Sequence, residues 1–125
     1  MQGYADYFIL KNESMSILIL HIKKKWFDLI LNGEKKEEYR EVKPYWSKRL
    51  CNSWDNIGVR WNHQKERWDY KDFSAIEFRN GYGRAARRCR VKYNGLDVGA
   101  GRPEWGGELF DHEVFRLKLG DIIPA

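Results

Sequence analysis

The chain has 125 residues, of which 42% are hydrophobic and 33% charged, and a formal net charge of +5. This suits a single globular domain with its own core and excludes a disordered or collagen-like chain. The longest aliphatic run, Ile17 to Leu20, is far too short to cross a bilayer, and no secretory leader is legible, so a soluble protein with no membrane partner is expected.

Residues 1–14 read as an N-terminal extension, and 15–125 as one domain. Ser16 to His21 is a continuous apolar run and is expected as a buried strand, central in a sheet. Lys23 to Asn32 then has the period of a helix. Ile22, Trp26, Leu29 and Ile30 share a stripe that Phe27 and Leu31 widen, and Gly33 is placed as the left-handed residue past the last turn. The start of this helix breaks a local rule. Lys23, Lys24 and Lys25 crowd the positive end of the macrodipole, and no Ser, Thr, Asp or Asn caps it. A bound phosphate would relieve that conflict; lysines splayed into water are the plain alternative.

A charged strand follows at once. At period two, Lys36, Glu38 and Arg40 point one way and Lys35, Glu37 and Tyr39 the other. Pro44 then opens a short helix, Tyr45 to Cys51. Trp54, Trp61 and Trp68 recur every seven residues between Asn52 and Phe73, but Gly58 and Asp55-Asn56 argue against a helix. This stretch is expected as a loop-rich excursion carrying aromatics and a hairpin.

Ala75 to Arg79 alternates as a strand with Ile76 and Phe78 inward, and Asn80-Gly81 is a turn. Arg88 to Tyr93 is the next strand, Asn94-Gly95 a second hairpin turn and Leu96 to Val98 the return strand. Gly99 to Gly107 is a glycine-rich loop. Glu113 to Leu119 closes the sheet with Phe115, Leu117 and Leu119 inward. The segment Arg84, Arg87, Arg88, Arg90 and Lys92 is the most basic of the chain, and such a stripe suits a phosphate backbone. Six Trp, seven Tyr and six Phe exceed what a small core needs, so some are expected at the surface, where aromatics beside cations stack on bases.

The spacing Gly33-x-Lys35-x-x-Glu38-x-Arg40 resembles the G-x-K-x-x-E-x-R signature of the ASCH domain, a relative of the PUA RNA-binding fold. The preceding strand and helix fit that context. Phe78 to Tyr82, Gly101 to Gly106 and Phe115 to Gly120 also look like stretches of phage and bacterial ASCH proteins. The resemblance implies an α+β fold: a small, mostly antiparallel PUA-like β-barrel with two or more flanking short helices.

It also implies a cleft for RNA or a nucleoside-type small molecule. Gly33, Lys35, Glu38 and Arg40 would line it, with Tyr39 or Trp105 as stacking surfaces and Glu77 and Glu104 as further carboxylates. Lys23, Lys24, Arg84, Arg87, Arg88 and Arg90 are the expected phosphate contacts.

Catalysis stays open. An ASCH amidohydrolase removes the acetyl group from acetylated cytidine; it has the Gly-x-Lys pattern but a threonine where this chain has Glu38, and a later glutamate that Glu77 would match. On that reading, or as a ribonuclease, Lys35 is base or nucleophile and Glu38 the proton shuttle. An accessory module that docks a partner protein through Trp54 to Trp68 is a further alternative. No metal or other cofactor is expected, because His21, His63 and His112 have no ligand spacing with one another or with Cys51 and Cys89. The two cysteines are expected to be free thiols in a reducing cytoplasm.

Overall fold

The computed structural model describes residues 16–124, so the expected extension, 1–14, lies outside the described residues. The described chain is α+β. It has two helices, α1 (Lys24–Leu31) and α2 (Pro44–Leu50). It has nine strands: β1 (Ile17–His21), β2 (Glu37–Glu41), β3 (Trp54–Asp55), β4 (Gly58–Val59), β5 (Trp61–Asn62), β6 (Arg67–Trp68), β7 (Ala75–Asn80), β8 (Arg87–Gly99) and β9 (Val114–Ile123). Five of them form one mostly antiparallel sheet in the order β1-β7-β8-β9-β2. Two compact units divide the chain, and β8 and β9 each contribute to both.

The first unit comprises residues 16–36, 73–94 and 118–124. Here β1 pairs parallel with β7, from Ile17↔Ala75 to His21↔Arg79, and β7 pairs antiparallel with β8, from Ala75↔Lys92 to Asn80↔Arg87. Leu18 and Leu20 alternate into the core, where they join Phe27, Ile30, Ile76 and Phe78. Burying each such side chain contributes roughly 1.5–3 kcal/mol. Among the described residues β1 stands at one end of the strand order, not at the centre as its apolar run suggests. Ile17 and Ile19, on the face opposite Leu18 and Leu20, are half-buried.

The buried stripe of α1 also differs from expectation. Phe27 and Ile30 form its centre, Trp26 and Leu29 flank it, and Leu31 is exposed. The helix end is a Schellman cap. Gly33, at φ 85°, donates its N–H to Ile30 O at 3.1 Å, and Glu34 N–H donates to Leu29 O at 2.9 Å. Lys35 N–H also reaches Leu29 O, at 3.0 Å, so the cap sets the backbone of the first half of the charged motif.

The second unit comprises Glu37–Asp72 and Gly95–Leu117. Tyr39, Leu50, Cys51, Val114, Phe115 and Leu117 are buried in it. The excursion after α2, expected to be loop-rich with a hairpin, holds two tight hairpins, β3-β4 and β5-β6. Asp55 Oδ1 accepts the N–H groups of Ile57 and Gly58, and Asn62 Oδ1 those of Gln64 and Lys65. The Asx turns thus close both hairpins locally.

The seven-residue spacing of the tryptophans reflects the hairpins. Trp61 and Trp68 sit opposite each other in the β5-β6 ladder, edge to face at 5.2 Å.

Asn94-Gly95 is not a hairpin turn. β8 runs unbroken from Arg87 to Gly99, with Gly95 at φ 95° inside it. A left-handed glycine within a strand marks a local bulge or twist as well as it marks a turn. Sustained pairing of a long strand, which no dipeptide reports, decides between them. Similarly, the connection after β7 is not a two-residue turn at Asn80-Gly81; it extends over Gly81 to Ala86, because Asn80 pairs with Arg87.

Candidate functional site

The first half of the motif lies in the first unit. Gly33, Lys35 and Lys36 help line a pocket of about 230 Å³, together with Asn32, Val91 and the Leu119 to Ile122 end of β9. Lys36 carries part of this geometry on its backbone, since its carbonyl accepts Leu119 N–H at 2.9 Å. Lys35 is 1% exposed and its Nζ lies 5.2 Å from the Trp26 ring centroid. A lysine is almost never buried to this extent without compensation. The indole face supplies part of it as a cation–π contact. Trp26, read from the sequence as a core residue, is thus also a wall for the motif lysine; Lys25 sits over the same ring at 4.7 Å.

The second half of the motif lies in the second unit, on β2. Glu38 and Arg40 share a face, as the strand period requires, and their side chains meet at 3.1 Å. Glu38 is 5% exposed, and its Oε1 also accepts Tyr39 N–H at 3.0 Å. Arg40 donates to Tyr39 O at 2.7 Å and lies over the Trp46 ring at 5.0 Å. Glu38 is therefore held by its strand neighbours, the Arg40 guanidinium and the Tyr39 N–H.

Tyr39 faces the other way with Glu37. Its hydroxyl donates to Glu37 Oε1 at 2.8 Å and accepts Arg102 N–H at 2.9 Å. Burial pushes the phenol well above its ordinary pKa, so it stays protonated in this role. At 3% exposure the ring has no open face for a base, which corrects its expected use as a stacking surface. It braces the loop that holds Trp105 instead.

Trp105 is partly exposed, with the Arg102 guanidinium over its ring at 4.9 Å. Glu104 is exposed and pairs with Arg102 at 3.6 Å.

Glu77, in the first unit, is fully engaged. Its two carboxylate oxygens accept from Arg79 Nε at 2.7 Å and Arg90 Nε at 3.0 Å. Burial raises the pKa of this acid, but the hydrogen bonds and charges of Arg79 and Arg90 outweigh burial and hold it below its usual range. The acid sits between its neighbours on one strand and the next, and it neutralises part of the basic stripe.

The expected phosphate contacts divide in two. Lys24 pairs with Asp28 at 2.7 Å, and Arg87 with the other oxygen of Asp28 at 2.7 Å while covering the Phe27 ring. Those cations are structural clamps on α1, and they draw the Asp28 carboxyl below its ordinary range. Lys23, Arg84 and Arg88 are exposed. Among the described residues no carboxylate pairs with Arg84 or Arg88; Arg88 donates to Gly83 O at 3.3 Å.

Among the described residues no group of three or more His, Cys, Asp or Glu side chains could hold a metal ion, and no helix is long and apolar enough to cross a membrane. The chain matches no protein-family model, no curated protein and no solved structure.

Proposed function

We propose that this chain is a binding module of the ASCH, PUA-like type that takes RNA or a nucleobase-like ligand at the pocket beside Gly33 and Lys35. The observation that carries this reading is a buried lysine in the wall of a pocket, placed there by a helix cap whose glycine is part of the same motif. The lining residues carry the group types a base edge pairs with: an amide on Asn32, amines on Lys35 and Lys36, and a carboxylate on Asp121. The pocket of about 230 Å³ falls below the ~300 Å³ at which drug-sized ligand sites begin, which favours a single flat ring over a larger cofactor.

The test is titration of the wild type and Lys35→Met with nucleosides, including acetylated cytidine, and with short single-stranded RNA at low salt. Methionine keeps the length and apolar stem of lysine, so loss of binding with retained folding reports the ammonium group. Wild-type protein that binds neither nucleosides nor RNA overturns the proposal.

One observation favours a hydrolytic variant of the same site: a desolvated lysine is the setting in which an amine serves as base or nucleophile. Release of acetate from acetylated cytidine by wild type and not by Lys35→Met would establish it.

A further inference from the structure

We infer that Tyr82, in the Gly81 to Ala86 connection, is a stacking platform for an unpaired base of a single-stranded nucleic acid. Tyr82 is 81% exposed, yet its ring is held. It lies nearly parallel to His21, with centroids 4.3 Å apart and planes 18° apart. His21 is itself fixed at the end of β1, with Nδ1 3.1 Å from Gly81 O. Gly81 at φ 99° and Gly83 at φ 83° let the backbone turn on both sides of the tyrosine, a path that L side chains resist. Arg88 and the Ala86 N–H both reach Gly83 O, at 3.3 and 3.4 Å, and close the loop.

One face of the phenol ring therefore rests on imidazole and the other, among the described residues, is open. A preformed flat surface of this kind is what a base can extend by one more layer, because little side-chain entropy remains to be lost.

Charge selects the ligand class. Residues 81–86 contain no acid, Arg84 projects from the same connection, and Arg88 follows on β8. Cations beside an open ring match a base joined to a phosphate backbone, whereas a protein partner would need an apolar patch around the ring to form the interface core, and Gly81, Gly83, Ala85 and the arginines do not provide one. The inference rests on the nucleic-acid reading above, but it uses no residue of the Lys35 pocket. It extends the ligand from a single nucleoside to a strand. From the sequence, the only signal was an aromatic residue between two glycines next to a basic run.

The test is fluorescence anisotropy with a labelled single-stranded RNA or DNA of about a dozen nucleotides and with an abasic strand of the same length. Tyr82→Ala is expected to weaken binding to the base-bearing strand about 5- to 150-fold, to leave the abasic strand unaffected and to leave the salt slope unchanged. Tyr82→Trp should restore affinity. Arg84→Gln should lower the salt slope by about 0.7 on either strand.

Equal binding by Tyr82→Ala and wild type, or an equal loss on the abasic strand, overturns the platform and leaves the pocket reading intact. Wild type that binds nucleosides but no strand does the same. Loss of nucleoside binding in Lys35→Met, with the Tyr82→Ala effect on strands preserved, shows the two sites to be separate. Tyr82 is mostly in water, so circular dichroism of the alanine variant should be that of the wild type.

Discussion

Glu77 and Arg90 stand directly opposite each other in the β7-β8 register, and Arg90 Nε donates to Glu77 Oε1 at 3.0 Å. Arg79, two residues along the same strand and so on the same face, takes the other oxygen at 2.7 Å. An acid surrounded by strand residues in a basic stretch is thus part of the sheet's own charge balance, not a free group awaiting substrate.

The pH dependence follows from that pairing. The Glu77 carboxyl titrates lower when folded than its ordinary 4.5, so its contribution to stability is present above about 4.5 and is lost as pH falls through the depressed folded value. Glu77→Gln should be less stable than wild type at pH 7 by about 1–2 kcal/mol, a reduced figure because Arg90 is half exposed. Urea unfolding of both proteins at pH 7 and pH 3 should show the gap closing on acidification. A gap that stays constant would rule out the ionic origin.

Tyr39→Phe should loosen the loop that follows β8. The substitution removes the acceptor of the Arg102 N–H and leaves that group without a partner, at a cost of about 1–3 kcal/mol. Hydrogen exchange should quicken at Arg102 and remain unchanged at Ile76. Unaltered exchange at Arg102 would mean that another group satisfies it.

Gly107→Ala should be among the most damaging small substitutions in the chain. An added methyl would collide with the Gly101 carbonyl group and lie 2.6 Å from Arg102 N, all of it backbone. Overpacking of this sort costs about 1–3 kcal/mol. Gly99→Ala should cost less, because the nearest atoms its methyl meets are the far end of the Arg116 side chain rather than backbone, although that guanidinium must then shift on its two bonds to Asp97. Thermal unfolding of the two variants ranks them; the reverse order would refute the packing described for Gly101 and Gly107.

Cys51 should resist alkylation in the folded protein. It is 1% exposed and burial pushes its thiol up to about 11, whereas Cys89 is partly exposed and its thiol, also raised by burial, is the easier target. Iodoacetamide at pH 8 followed by peptide mapping should label Cys89 first, with Cys51 reacting only as denaturant unfolds the chain. Early labelling of Cys51 would contradict its place in the core.

Local chemistry was readable wherever one element settles the question. The helix ending at Gly33, the proline-led α2, the alternation of β2 that pairs Glu38 with Arg40, and the inward Phe115, Leu117 and Leu119 all follow from periods and caps within a few residues. What needed distant partners was not readable. The continuity of β8 through Asn94-Gly95, the place of β1 at one end of the strand order among the described residues, and the burial of Tyr39 depend on which segment comes to lie alongside.

The fates of the charged side chains divide along the same line. Composition and motif singled out an acid, a lysine and several arginines by position along the chain. Only folding decided that Glu77 is consumed by Arg79 and Arg90, that Arg87 clamps Asp28, and that Lys35 is covered beside Trp26 while Tyr82 stays open above His21. Pair energies and desolvation depend on separation in space, and separation along the chain sets that only for neighbours within a turn or a strand.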